Sequence, residues 1–491
     1  MKILKLLAAT LAVGLVACGG PDTPAPEVEH KFEVTASKQQ ILPNGADVVE
    51  FVATFDGERV TEGVKAFDVE SNQEVNMPSL TFSTEEEGDY KFYFTYTFEQ
   101  KEYSSEYINI AAKNLTANVN TTVFQMGVDD VYFLIYYKGE LITYPDADLT
   151  IMDYETHAEI IPEGIEVEVD GRTVTLPKYV ADKVGTRKLY VYYKTSHTRK
   201  KPIELTAVDY AVPKRLADTQ PESTNFTKRA FLTQFTGTGC GFCPYISAAL
   251  YAMKSDAQMA DKFVNVAVHT YHTSSELYPS EAGNIDAVFG VSGYPVLMGD
   301  MRWRTSNLGG WELNQTRLTN YVNSSVSEGA KAGISISVGG SESNTVVVRA
   351  TVKAAANGNY RVGAWLVEDN IYGVQTNNMN SKLPEGMTKD TFNYHNGVLR
   401  IADSEPASSY TGYNLGYMNV GDVVDKVFIM ELKEDAAEAS KDNKVMNHKK
   451  HWVRENCRLV VFVTTESKDG YYVANVISNT SLTESVAFDY Q

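Results

Sequence analysis

Cysteine is scarce in this chain, with 4 in 491 residues. That excludes a small disulfide-stapled scaffold, in which cross-links stand in for a core. Proline is also infrequent, at 16, too few for a Pro-rich disordered chain. Clustered positive charge is missing as well. Lys and Arg number 44 against 63 Asp and Glu, for a net charge of −19. The one concentrated basic run, Arg199-Lys200-Lys201, reads as a solvated strand end. Affinity for a phosphate backbone comes from grouped cations, so no nucleic-acid partner is expected. Beyond the first residues, no apolar run approaches the ~20 residues needed to cross a bilayer as a helix.

What is present suits a multidomain, strand-rich protein. The length exceeds what one core supports, so three or four domains are expected. The 30 Tyr and 20 Phe favour strands over helical bundles.

The N-terminus has a targeting pattern. Lys2 and Lys5 bring positive charge, and residues 3–16 form an apolar region too short to span a membrane with ease. The phrase Leu15-Val16-Ala17-Cys18, followed by Gly19-Gly20, resembles the lipobox of bacterial lipoproteins. Residues 1–17 are then a signal peptide, and Cys18 becomes the acylated first residue of the mature chain. The competing reading is an ordinary secretory signal with a coincidental cysteine. Residues 18–30 read as an extended tether, and the membrane partner is reached through lipid on Cys18.

Two segments repeat. Gly45-Ala46-Asp47-Val48-Val49-Glu50-Phe51, followed by Asp56-Gly57-Glu58, returns as Gly127-Val128-Asp129-Asp130-Val131-Tyr132-Phe133, followed by Lys138-Gly139-Glu140. A second pair, Gly88-Asp89-Tyr90-Lys91-Phe92 and Gly185-Thr186-Arg187-Lys188-Leu189, keeps the order with a 15-residue insertion between the anchors. Short alternating strands with Gly turns predict two copies of one sandwich, over residues 31–113 and 114–208. The rhythm resembles bacterial immunoglobulin-like modules, which serve as stalks or spacers. Residues 209–226, with Pro213 and Pro221, read as a linker.

The pattern then changes. A strand at 229–235 leads into Cys240-Gly241-Phe242-Cys243-Pro244 and a helix from about residue 245 to 253. Strand 263–269, helix 284–289, strand 295–301 and helix 314–326 follow, an alternation that signals an α/β unit over 227–328. Strand-like runs at 334–338, 345–353, 361–368, 424–431, 458–465 and 471–478 predict a C-terminal β-sandwich over 329–491. The expected fold class is multidomain and mainly β, with one α/β unit.

With Cys18 acylated, three cysteines remain. Cys457 lies in a strongly apolar strand pattern and reads as a buried core thiol. Cys240 and Cys243 form a close pair in an oxidising compartment, where stray thiols are a liability. A helix N-terminus carries unpaired N–H groups and a positive dipole end, which stabilise a thiolate nucleophile placed there. Strand, Cys-x-x-Cys and helix match the dithiol of a thioredoxin-like fold, and Gly293-Tyr294-Pro295-Val296 falls where that fold carries a cis-proline. Reaching Pro295 needs an insertion around residues 273–284. Cys240 would exchange disulfides with protein thiols, Cys243 would resolve, and Pro295 would orient the partner's backbone. An inert structural disulfide is the second reading. Zinc held by the two cysteines with His269 and His272 is the third; their spacing fits it poorly, so no metal and no cofactor is expected. His269 otherwise reads as a strand-end residue with a satisfied hydrogen bond.

Residues 235–244, Phe-Thr-Gly-Thr-Gly-Cys-Gly-Phe-Cys-Pro, look like the signature of the Omp-twenty-eight-related outer membrane lipoproteins. Tyr394-His395-Asn396-Gly397-Val398-Leu399-Arg400 resembles a further phrase of that family. The resemblance covers about residues 225–491 and implies a thioredoxin-like domain, a C-terminal β-domain and outer-membrane association. Two departures weigh against fast catalysis. Gln234 stands where thioredoxins bury a proton-relaying acid, and an amide cannot take and return a proton. Gly239 replaces the aromatic residue that often precedes the first cysteine. The competing function is therefore a non-catalytic surface or interaction lipoprotein that uses its domains as a scaffold.

Overall fold

The computed structural model describes residues 30–491 except 170, 273–276, 278–283, 308, 341–343, 405–409, 433, 436–450 and 468. The expected signal peptide, Cys18 and the tether up to residue 29 lie outside the described residues. The chain is mainly β, distributed over several sheets. Among the described residues, no helix is long and apolar enough to cross a membrane.

The repeated segments fold into two sandwiches of like topology. In the first, Phe32–Ala36, Val49–Phe55 and Glu58–Val60 form one sheet, and Ile108–Ala112, Gly88–Phe98 and Lys65–Asp68 are adjacent in the other. In the second, Leu115–Val119 pairs with Val131–Tyr137 in one sheet, and Ile203–Val208, Gly185–Tyr193 and Leu149–Asp153 are adjacent in the other. Each closes with a short parallel pairing, Gln40–Ile41 on Ile108–Ala112 and Val123–Gln125 on Ile203–Val208. The repeated turn phrase has a backbone cause. Asp56 and Gly57 have φ of 51° and 82°, and Lys138 and Gly139 have 51° and 84°, the paired positive values of a type I′ hairpin. The second copy's extra length includes a hairpin, Glu163–Val169 on Arg172–Tyr179, where the first has only the two-residue strand Thr81–Phe82.

From residue 230 the chain builds a different object. Its elements are β1 (Ala230–Thr236), α1 (Cys243–Ser255), β2 (Phe263–His269), α2 (Ile285–Val288), β3 (Val296–Gly299), β4 (Trp303–Ser306) and α3 (Trp311–Ser327). Then come β5 (Ala332–Gly340), β6 (Thr345–Ala354), β7 (Gly358–Glu368), β8 (Val398–Asp403), β9 (Tyr413–Met418), β10 (Val423–Glu431), β11 (Cys457–Ser467) and β12 (Gly470–Ser478). β1 and β2 are parallel, while β3 runs antiparallel to β1 and β4 antiparallel to β3. The strand β4 was not expected. Asp300 and Met301, at φ of 47° and 60°, reverse the chain at the end of the run 295–301 that the sequence suggests as one strand. The residues beyond the reversal, Trp-Arg-Thr-Ser, are too few to show alternation.

A single nine-stranded sheet runs β4-β3-β1-β2-β8-β7-β11-β12, with β9 also paired to β7. It crosses the boundary expected between residues 328 and 329. The splice is the parallel pairing of β2 with β8, at Ala267 and Val398. Gly397 makes it possible: its carbonyl accepts the Ala267 N–H at 2.7 Å, its φ is 65°, and a Cβ there would lie 3.0 Å from the Asn265 carbonyl oxygen. One face of the sheet is a continuous core containing Phe231, Phe235, Trp365, Val460 and Phe462. The opposite face packs on α1 and α3 at one end, and on the three-stranded sheet β5-β6-β10 at the other. Covered on both sides, its strands are apolar throughout; all seven residues of β1 are buried.

Residues 209–226 are tied to this body. The buried Lys353 ammonium donates to Asp218 and to the Pro221 carbonyl, and Arg349 to the Pro213 carbonyl. Cys457 is fully buried at the start of β11, its thiol donating to the Val453 carbonyl at 3.4 Å.

Candidate functional site

Cys240 and Cys243 are joined in a disulfide, with Cα atoms 5.4 Å apart. The loop that carries them leaves the end of β1 and enters α1. The helix starts at Cys243, two residues earlier than its sequence suggests, with Pro244 in the first turn, where its missing N–H costs no bond. Cys240 therefore precedes the helix, and its carbonyl accepts the Cys243 N–H at 3.2 Å. The second cysteine, not the first, occupies the first helical turn. Between them, Phe242 is 53% exposed, while Cys240 and Cys243 are only 4% and 1% exposed.

Two segments from elsewhere bind the loop that carries the disulfide. On one side, His272 accepts from the Gly239 N–H at 3.1 Å through its carbonyl. A Cβ at Gly239 would lie 2.6 Å from the His272 Cβ, so the glycine that replaces an aromatic wall lets this chain approach. The expected insertion at 273–284 lies mostly outside the described residues. On the other side runs a strap, residues 373–378. The Thr376 N–H donates to the Thr238 carbonyl at 2.8 Å and the Asn378 N–H to the Gly241 carbonyl at 2.9 Å. The Gln375 amide nitrogen lies 3.0 Å from the Cys240 carbonyl oxygen and 3.2 Å from those of Gly237 and Thr238. Beyond the strap, Met379 and Phe392 pack on Tyr245 and Ala248 of α1.

Pro295 follows a cis bond from Tyr294 and immediately precedes β3, whose Val296 pairs with Phe235 of β1. This places it at the end of β3 next to the end of β1 from which the cysteine loop departs. Tyr294 donates its hydroxyl to Asp286 at 2.6 Å and stacks on Tyr271 with ring centroids 4.7 Å apart.

Behind the loop, between α1, β1, β2 and the segment after the strap, lies a cavity of about 310 Å³ whose lining includes Gln234, Lys254, His269, Gln375, Tyr394 and His395. Gln234 is buried and donates to the Ser247 hydroxyl at 3.2 Å, which in turn donates to the Cys243 carbonyl at 3.4 Å. The two imidazoles meet edge to face, centroids 4.7 Å apart. Burial holds both uncharged: His269 titrates well below its ordinary value, with His395 and Arg400 adding to the effect, and His395 is pushed down to about 4. Burial also lowers Lys254 to about 8. The hydrogen bond expected for His269 is not made at Nδ1, which has no partner among the described residues.

The zinc reading has no support in this geometry. Both sulfurs are committed to the disulfide, and no group of three or more His, Cys, Asp or Glu among the described residues is placed to hold a metal.

No family model matches the chain, and no curated protein does. Among solved structures, HBP35 of Porphyromonas gingivalis is similar over 53% of this chain and 77% of its own, at 14% identity and a TM-score of 0.39. A domain of the outer membrane lipoprotein Omp28 from the same organism matches over 33% and 91%, at 17% identity and a TM-score of 0.18. Domains 5–6 of the S-layer protein SbsC match over 37% and 100%, at 15% identity and a TM-score of 0.15. These likenesses are too distant to carry an argument about chemistry.

Sequence reasoning found the disulfide pair but missed Gln375, Asn378 and His395 as its surroundings. The polar run Gln375-Thr376-Asn377-Asn378 carries no chemical motif. His395 sits in a phrase whose evident role is the splice between β2 and β8.

Proposed function

We propose that this is a lipid-anchored protein of the bacterial outer membrane whose Cys240–Cys243 pair exchanges disulfides with extracytoplasmic proteins. The unit that carries the pair is thioredoxin-like. The observation that carries the reading is the disulfide itself, set at the start of α1 and directly after β1 of a β4-β3-β1-β2 sheet. In the oxidised form a partner thiolate attacks the Cys240 sulfur. The Cys240–Cys243 bond breaks, and Cys243 leaves as a thiolate that takes a proton. A second partner thiolate then attacks the mixed disulfide, releasing Cys240. Two electrons pass to the cysteine pair, and the partner gains a disulfide. With Gln234 in place of an acid, the protons exchange with solvent.

A second reading, a non-catalytic interaction lipoprotein, is favoured by the burial of both cysteines. Expression of the Cys243→Ser chain in its native envelope separates the two. An exchange protein accumulates mixed disulfides through Cys240 on non-reducing gels. Their absence, together with failure of the wild type either to reduce insulin or to oxidise a dithiol peptide, leaves the interaction reading. Lipidation is checked by a mass increase on the mature chain that Cys18→Ala abolishes.

A further inference from the structure

We infer that residues 374–378 occupy the edge on which a redox partner docks, and that this partner is an extended polypeptide pairing with residues 238–241 in their place. The inference rests on the exchange reading above. The strap holds the cysteine loop through two main-chain bonds and the Gln375 side-chain amide. Its two main-chain donors, Thr376 and Asn378, sit two residues apart and reach the carbonyls of Thr238 and Gly241. Any extended chain presents N–H groups on one side at that spacing, whatever its sequence. The strap's exposure alternates accordingly, with Val374, Thr376 and Asn378 outward and Gln375 and Asn377 half-buried.

The loop is shaped to accept such a chain. At Gly241 a Cβ would stand 2.3 Å from the side-chain amide nitrogen of Asn378, so the glycine leaves room for a side chain of the seated strand. Phe242 and Val374, 53% and 70% exposed, provide apolar surface on the loop and on the strap. With the strap seated, Cys240 and Cys243 are both buried. A partner thiol reaches Cys240 only when the strap has left, and the carbonyls it vacates are the ones an incoming chain needs. Occupant and partner therefore compete for one set of acceptors. The strap has one hold a partner lacks, the Gln375 amide, whose donors reach the Gly237, Thr238 and Cys240 carbonyls.

The test uses the full chain with Cys243→Ser, leaving Cys240 as a free thiol. The probe is an alanine-flanked peptide bearing one cysteine as its mixed disulfide with thionitrobenzoate. Cys240 thiolate attacks the peptide sulfur, the peptide–thionitrobenzoate bond breaks, and the coloured thionitrobenzoate anion leaves and is counted. Adding Gln375→Ala should speed peptide capture roughly tenfold, the effect of losing about one charge-free hydrogen-bonded anchor. Gly241→Ala, whose methyl crowds the Asn378 side chain against the loop, provides a second route if Gln375→Ala does not fold. In the loosened variants, a peptide with proline on both sides of its cysteine should react more slowly than the parent, because it cannot donate. Acceleration that is equal for both peptides and for a small symmetric disulfide such as cystamine would overturn the docking edge, leaving the strap as mere cover. No acceleration in either variant would overturn it too. If Cys240 is inert to every reagent in every variant, the exchange reading falls as well. If mixed disulfides are absent from the envelope while the peptide results hold, only that reading falls.

Discussion

The two N-terminal sandwiches and the nine-stranded sheet are both built of strands, but they are held together differently. In the sandwiches, most neighbouring strands are close in sequence, turns are tight, and one face of each strand meets water; Val49–Phe55 alternates between buried and exposed or half-buried positions. In the large sheet, neighbours come from far apart in the chain, as with β2 and β8, and both faces are covered. Damage to a sandwich should therefore stay local, whereas damage to the large sheet reaches the disulfide.

The largest expected effect comes from the fully buried pair Glu368 and Arg400, 2.8 Å apart on β7 and β8 beside the splice. Glu368→Gln removes the buried carboxylate that accepts from the Arg400 Nε and should lower stability by about 3–5 kcal/mol in chemical denaturation. Glu368→Leu with Arg400→Met should cost much less, so a double mutant as damaged as the single one would break the comparison. Phe94→Ala, in the core of the first sandwich, should also cost about 3–5 kcal/mol. Its effect should be confined to amides of residues 31–113 in hydrogen exchange, with those of β1 and α1 unchanged.

The next effect is a pH dependence. His395 titrates near 4 in the folded chain, below its ordinary value of 6.5, so the unfolded chain binds the extra proton. Stability from this group is complete above about pH 6.5 and is lost as pH falls towards 4, by on the order of 3 kcal/mol. His269 acts in the same direction. His395→Gln should flatten the slope of the denaturation midpoint between pH 4 and 6.5, and an unchanged slope would refute the assignment. Gly57→Val should give the smallest effect, about 1–2 kcal/mol, because it forces a branched side chain into the positive-φ turn position of the first sandwich.

The sandwiches were legible because their determinants are local. Asp56-Gly57 and Lys138-Gly139 announce the same turn, and alternation follows on either side. The cysteine pair was legible for the same reason, lying between a strand and a helix. The large sheet was not. Nothing in residues 263–269 or 398–403 states that they will be neighbours, since parallel partners bury both faces and show no alternation. The splice phrase around Gly397 could be read as a family mark, but its work as the junction is visible only with Asn265 placed against it. The strap escaped notice because two of its bonds are made by peptide groups, common to every residue, and Gln375 sits in no chemical motif.

The central claim is that Cys240–Cys243 is an exchanging pair. The most direct measurement is its reduction potential in the full wild-type chain, from equilibration with dithiol buffers and quantification of the free thiols. The account predicts a reversible two-electron equilibrium within the range of exchanging dithiols, about −120 to −270 mV. A potential below about −300 mV would mark the bond as purely structural and contradict it.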